Sequence, residues 1–85
     1  MTEDRDTLAA RLLAEHDAAC AELAVLTTRQ RECLTLVAKG YGYKQAGEAM
    51  GVTLHAARAH MRLVCRALDC NATEAVVLAA QARWV

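Results

Sequence analysis

The side chains able to do chemistry in this chain are its cysteines, histidines, carboxylates and cations, and their spacing removes most reactions. Cys20, Cys33, Cys65 and Cys70 form no CxxC pair; Cys65 and Cys70 are five apart, and His16 with Cys20 is an isolated i,i+4 pair. Structural metal sites gather four such ligands through repeated close spacings. These residues therefore read as small core side chains, and no metal is expected. His55 and His60, five apart on a helix, point to different faces. There are no paired carboxylates in a plausible cleft, no Gly-rich phosphate loop, and no Cys–His pair oriented by a third group. The expectation is a protein that is not an enzyme, with no catalytic residues, no cofactor and no small-molecule ligand.

What remains is charge, and it is sorted along the chain. The formal net charge is +0. Residues 1–28 nevertheless carry Glu3, Asp4, Asp6, Glu15, Asp17 and Glu22 against only Arg5 and Arg11. Residues 29–70 carry Arg29, Arg31, Lys39, Lys44, Arg58, Arg62 and Arg66 against Glu32, Glu48 and Asp69. An acidic arm adjoins a basic module, and the module keeps the electrostatic footprint of a nucleic-acid binder.

The elements that must hold those cations are helical. The chain has 85 residues, 55% of them hydrophobic but only 4% aromatic, with no Phe and no Pro. Runs rich in Ala, Leu, Glu and Arg with few β-branched residues favour helix throughout, so the fold class is all-α. No apolar run approaches the roughly 20 residues of a membrane span. The acidic opening "MTEDRDTLAA" does not suit a signal peptide. The expected location is the cytoplasm, with no membrane partner.

Five segments follow. Residues 1–26 read as an acidic amphipathic N-terminal helix, running from about Asp6 to Val25 with Leu8, Leu12, Ala19, Leu23 and Leu26 on one face. Residues 27–85 read as the DNA-binding domain. There, "LTTRQRECL" opens a helix with a capping box between Thr27 and Gln30, and Gly40 stops it. A third helix runs near Tyr43 to Met50 and closes at Gly51. Thr53 caps a fourth, Leu54 to Leu68, and Asn71 with Glu74 opens a fifth to about Arg83. Met50-Gly51-Val52 is the tight corner of a helix-turn-helix, with small residues (Ala46, Gly47, Ala56, Ala57) where the helices cross. Such a unit places its second helix in the major groove of DNA.

The stretch "LTTRQRECLTLVAKGYGYKQAGEAMGVTLHAARAHMRLVCRAL", continued by "TEAVVLA", resembles the LuxR-type (GerE-like) helix-turn-helix domain of bacterial transcription regulators over about residues 26–82. The resemblance implies a four-helix domain, here preceded by the N-terminal helix, whose third helix reads the major groove and whose fourth often forms a dimer. It puts base reading at Arg58, Ala59 and Arg62, and DNA-backbone contacts at Tyr43, Lys44, Thr53, His60 and Arg66. Guanidinium groups suit guanine O6 and N7. The chain departs from the family at Ala46 and Gly47, which replace a large aliphatic and an Ala, at Ala56-Ala57, at Gln30, and in a shortened "DCN" link. Trimming at those core positions lets the helices cross closer or repack around Met50 and Met61. "GYGYKQAGEAMGV" also looks like region 4 of bacterial sigma factors, which implies the same fold with promoter and polymerase contacts; "TEAVVLA" favours the LuxR-type reading.

The leading expectation is a small stand-alone transcriptional regulator binding double-stranded DNA as a homodimer. Val76, Val77, Ala80 and Trp84 recur at helical spacing and form the expected dimer face. The 28 residues ahead of the module are too few for a sensor domain. The competing expectation is an adaptor or anti-activator that binds a larger LuxR-type regulator or RNA polymerase instead of DNA.

Overall fold

The structure, a computed structural model, describes residues 5–85, with side chains from Thr7 onward. The opening of the acidic arm, including Glu3 and Asp4, lies outside the described residues. The described residues form five helices and no strand: α1 (Arg5–Leu23), α2 (Thr28–Ala38), α3 (Tyr43–Met50), α4 (Leu54–Leu68) and α5 (Ala72–Gln81). The all-α expectation holds.

Local chemistry sets each boundary. At the start of α2, Thr27 Oγ1 accepts from the Gln30 amide at 3.2 Å while Gln30 Oε1 accepts from the Thr27 amide at 3.0 Å. This is the reciprocal box foreseen in the sequence. Thr53 Oγ1 caps α4 and Asn71 Oδ1 caps α5, at 3.1 and 2.8 Å from the Ala56 and Glu74 amides. Gly51 closes α3 with φ 72°. Helix α4 ends at Leu68 as expected, with Asp69 (φ 52°) rather than glycine as the left-handed residue after it, whereas α5 ends short of the expected Arg83, which is itself left-handed (φ 61°). At Arg83 the chain reverses, so α5 stops at Gln81 and the Trp84 amide donates back to the Ala79 carbonyl at 2.9 Å.

Helix α2 is central and packs on α3, α4 and α5, and α3 crosses α4. Leu34, Val64, Met61 and Cys33 are fully enclosed, with Ala57, Ala75 and Ala79 where helices approach closely. The buried Cys33 Sγ–H donates to the Ala57 carbonyl at 3.3 Å, joining α2 to α4. Burial pushes this thiol above its ordinary value, with the charge of Arg29 opposing the shift. It acts as a small packed donor.

Helix α1 docks mainly on α5. Ala19 and Leu23 enter the same core as Leu34 and Ala79. His16 Nδ1 lies 3.1 Å from the Gln81 carbonyl at the end of α5. The stripe expected along all of α1 is buried only in this C-terminal half, since Leu8, Leu12 and Leu13 are exposed. Length explains it. Nineteen helical residues span about 28 Å whereas the ten of α5 span about 15 Å, so α1 outruns its partner and the molecule is elongated, 49 × 21 × 19 Å.

Candidate nucleic-acid interface

The corner between α3 and α4 is built by close backbone approach. A Cβ placed on Gly47 would stand 2.8 Å from the Val52 carbonyl oxygen and 2.9 Å from that of Thr53. No side chain fits there, so the trimmed position is what lets α3 close onto the turn. Ala46 and Ala57 are completely buried. Met50 and Met61 sit in the core cluster. From outside, Arg29 Nη2 on α2 donates to the Met50 carbonyl at 2.9 Å, satisfying the last turn of α3, while its Nη1 pairs with Glu32 at 2.7 Å.

This packing fixes the rotation of α4. Ala57, Met61 and Val64 turn inward. The opposite face presents His55, Arg58, Ala59, Arg62, Leu63, Arg66 and Ala67, all exposed. Arg58, Arg62 and Arg66 recur every four residues, so they form one ridge with about 6 Å between successive members. The Arg58 guanidinium lies over the Tyr43 ring, 5.5 Å from its centroid, within cation–π range. With Met61, Cys65 and Ala72, these arginines and Tyr43 line a shallow open groove beside α4.

The structure brings together most residues expected at a DNA surface. Arg58, Ala59 and Arg62 are exposed on the same side of α4, and Lys44, Thr53 and Arg66 are exposed near it. Tyr43 is half-buried, with its ring under Arg58. His60 is half-buried too, about 160° around the helix from Arg62 by the 3.6-residue period, so it flanks the exposed face rather than belonging to it. The acidic α1 docks on α5 and does not cover the arginine ridge.

The four residues expected to form a dimer face divide. Val77 and Ala80 are exposed and border a groove between α5 and α1 that Leu12 and His16 also line. Val76 and Trp84 are half-buried and pack on the chain's own core. Trp84 leaves the helical face because the chain reverses at Arg83, and its ring lies 4.4 Å from the Arg31 guanidinium. Leu63 was missed by the sequence reading. A signal was present: it stands four residues from both Ala59 and Ala67 and directly after Arg62.

No helix among the described residues is long and apolar enough to cross a membrane, and no group of three or more metal-ligating side chains is found among them. A family model of sigma-70, region 4 matches residues 21–68. No curated protein and no solved structure matches the chain. Of the two families that the sequence resembles, the match falls on the sigma-70 one, from the end of α1 to the end of α4 and without α5.

Proposed function

The chain belongs to the sigma-70 region 4 family, a related helix-turn-helix fold tied to DNA binding and transcription, and from that premise we propose that it is a sequence-specific regulator of transcription that binds double-stranded DNA. The observation that carries this reading is the exposed ridge of Arg58, Arg62 and Arg66 on a helix whose rotation the core fixes. Helix α4 enters the major groove. Arg58 and Arg62 donate to guanine O6 and N7, and Ala59 lets the helix approach the base edges. Tyr43, Lys44, Thr53, His60 and Arg66 contact the sugar–phosphate backbone along the rims, holding register without reading sequence. The Thr53 hydroxyl oxygen already accepts from Ala56, which leaves its proton for a phosphate. The protein acts in the cytoplasm of a bacterial cell, on the chromosome.

The LuxR-type affiliation rests on α5, which lies beyond the matched residues. On that reading α5 pairs two copies through Val77 and Ala80, edged by Val76 and Trp84. The module without its acidic arm is residues 27–85. A second reading, an adaptor that grips RNA polymerase or a larger LuxR-type regulator, draws support from the exposed Leu8, Leu12 and Leu13 of α1.

Recovery of bound DNA with the tagged chain, followed by mobility shifts over a salt series, tests the proposal. Binding should weaken steeply with salt as counterions are released. Arg58→Ala and Arg62→Ala should each cost about 1–3 kcal/mol and relax preference at one base pair. Unchanged binding by the folded double variant would transfer the function to the adaptor reading.

A further inference from the structure

We propose that Leu63 is a base-reading residue, selecting thymine through its C5-methyl group beside the guanine that Arg62 reads. This rests on the reading of α4 as the groove-entering helix and names part of its target.

Leu63 is 45% exposed in the middle of α4, a large aliphatic side chain left in water between two arginine-bearing turns. Its neighbours Met61 and Val64 are buried at 2% and 0%, so α4 cannot rotate to bring Leu63 inside without expelling both. Ala59, Arg62, Leu63 and Arg66 are spaced i, i+3, i+4, i+7, the pattern by which one helical face meets a groove. Arg62 and Leu63 are the two flanks of that face, about 100° apart by the helical period, and the exposed Ala67 lies beyond Leu63 on the same arc.

The exposed surface of α4 then consists of two parallel ridges. One is Arg58, Arg62 and Arg66; the other is Ala59, Leu63 and Ala67. The small alanines on either side leave Leu63 standing clear, and they let the helix axis come close to the floor of the groove on that side. Long guanidinium arms meet guanine from one ridge while a shorter apolar side chain meets what lies under the other. In the major groove only thymine presents an apolar group, the C5-methyl, on its edge. A cytosine in the same place offers no methyl to bury, and its amino donor is left as unmet by Leu63 as the O4 acceptor of thymine, so the discrimination rests on the methyl group.

The experiment begins with duplexes selected from a random pool by the whole 85-residue chain. The enriched sequence should hold a thymine adjacent to a guanine whose requirement disappears in Arg62→Ala. Replacing that thymine by deoxyuridine removes only the methyl group. The exchange should weaken binding by the parent about fourfold, the worth of one buried methyl. It should leave Leu63→Ala unaffected; this variant folds because the side chain is exposed. A parent protein indifferent to deoxyuridine at every thymine, or an L63A variant that selects the same sequence as the parent, overturns the assignment while leaving DNA binding intact. Failure to enrich any duplex overturns the groove-reading role of α4 itself, and this assignment with it.

Discussion

The guanidinium of Arg58 stands over the Tyr43 ring at 5.5 Å, so the first turn of α3 holds a cation of α4 before any ligand arrives. A free arginine must be ordered on binding, at about 0.5–1.5 kcal/mol for a rotamer-rich side chain. Tyr43→Ala should therefore weaken specific DNA binding several-fold even where the protein remains folded. Tyr43→Phe keeps the ring and should retain Arg58-dependent base preference, losing only what the hydroxyl gives to a phosphate. Titration by fluorescence anisotropy on a selected duplex separates the two, and parental affinity in a folded Y43A protein would sink the idea.

Gly47 offers a prediction opposite in sign to helix propensity. Alanine in a helix interior is favoured over glycine by about 1 kcal/mol. At this position its Cβ would fall within 3 Å of two backbone carbonyl oxygens, and backbone cannot swing aside as a side chain can. Gly47→Ala should destabilise the domain by about 1–3 kcal/mol, the usual cost of overpacking, and lower the urea midpoint. Glu48→Ala, on the exposed side of the same helix, is the control and should change little. A G47A midpoint at or above the parent's would show that the corner can open without cost.

The corner was legible in sequence, and so were the outer helices as elements, but not how those helices dock and end, for physical reasons. Gly51 and Thr53 mark α3 and α4 because a left-handed residue and a side-chain cap are local requirements met by few residue types. The left-handed ends at Asp69 and Arg83 carry no such mark, since neither residue is the glycine usual there. The reversal at Arg83 then moved Trp84 from an expected outer face onto Arg31. The apolar spacing of α1 gives a stripe but not the length of what it packs on, so the exposure of Leu8 and Leu12 could not be read from it. Arg58 and Arg62 were found by resemblance, and the structure supplies their common exposure. Leu63 escaped because an apolar residue in an amphipathic helix is assigned to the core by default.

Cys33 makes stability depend on alkaline pH. Below the ordinary thiol value of 9.0, folded and unfolded chains both hold the proton and this group contributes no slope. Because burial raises the folded value, the unfolded chain sheds its proton first as pH rises further. Stability then falls until the folded thiol also ionises. Urea midpoints compared between about pH 8 and pH 10 should decline more steeply for the parent than for Cys33→Ala. Part of the slope should persist in that variant, since Cys70 is raised as well, by burial first and then by Cys65 and nearby carboxylates. Equal slopes would mean that Cys33 does not titrate differently in the two states.

Val77 tests the pairing of copies. Its side chain is 49% exposed beside Leu12 and Ala80, so Val77→Glu should fold as the parent does. If α5 forms the dimer, this variant should sediment at half the parental mass and bind a two-half-site operator far more weakly. A V77E protein of full parental mass would exclude the interface.

Two truncations separate what the halves of α1 do. Ala19 and Leu23 are buried at 1% and 2%, and His16 reaches the Gln81 carbonyl at 3.1 Å. Deleting residues 1–25 removes all three and uncovers α5, so it should cost about 2–5 kcal/mol, the range for losing one buried leucine side chain. A change in DNA binding by that protein would confound unfolding with regulation. Deleting residues 1–12 removes Leu8 and Leu12, of which Leu12 borders the α5 groove, but leaves Ala19 and Leu23 docked, so the loss of stability should be clearly smaller than for the longer deletion. It also removes Glu3, Asp4 and Asp6 together with Arg5 and Arg11, nearly balanced charges. Because α1 packs on α5 away from the arginine ridge, non-specific DNA binding should keep the parental salt dependence, even at low salt where the screening length is longest. If the projecting half of α1 assists dimerisation, the shorter protein should show a smaller solution mass and less cooperative operator binding. If it instead docks on polymerase, mass and operator binding should match the parent while transcription from the regulated promoter falls. A truncated protein equal to the parent in mass, binding and promoter output would leave Leu8 and Leu12 without a role in either assembly.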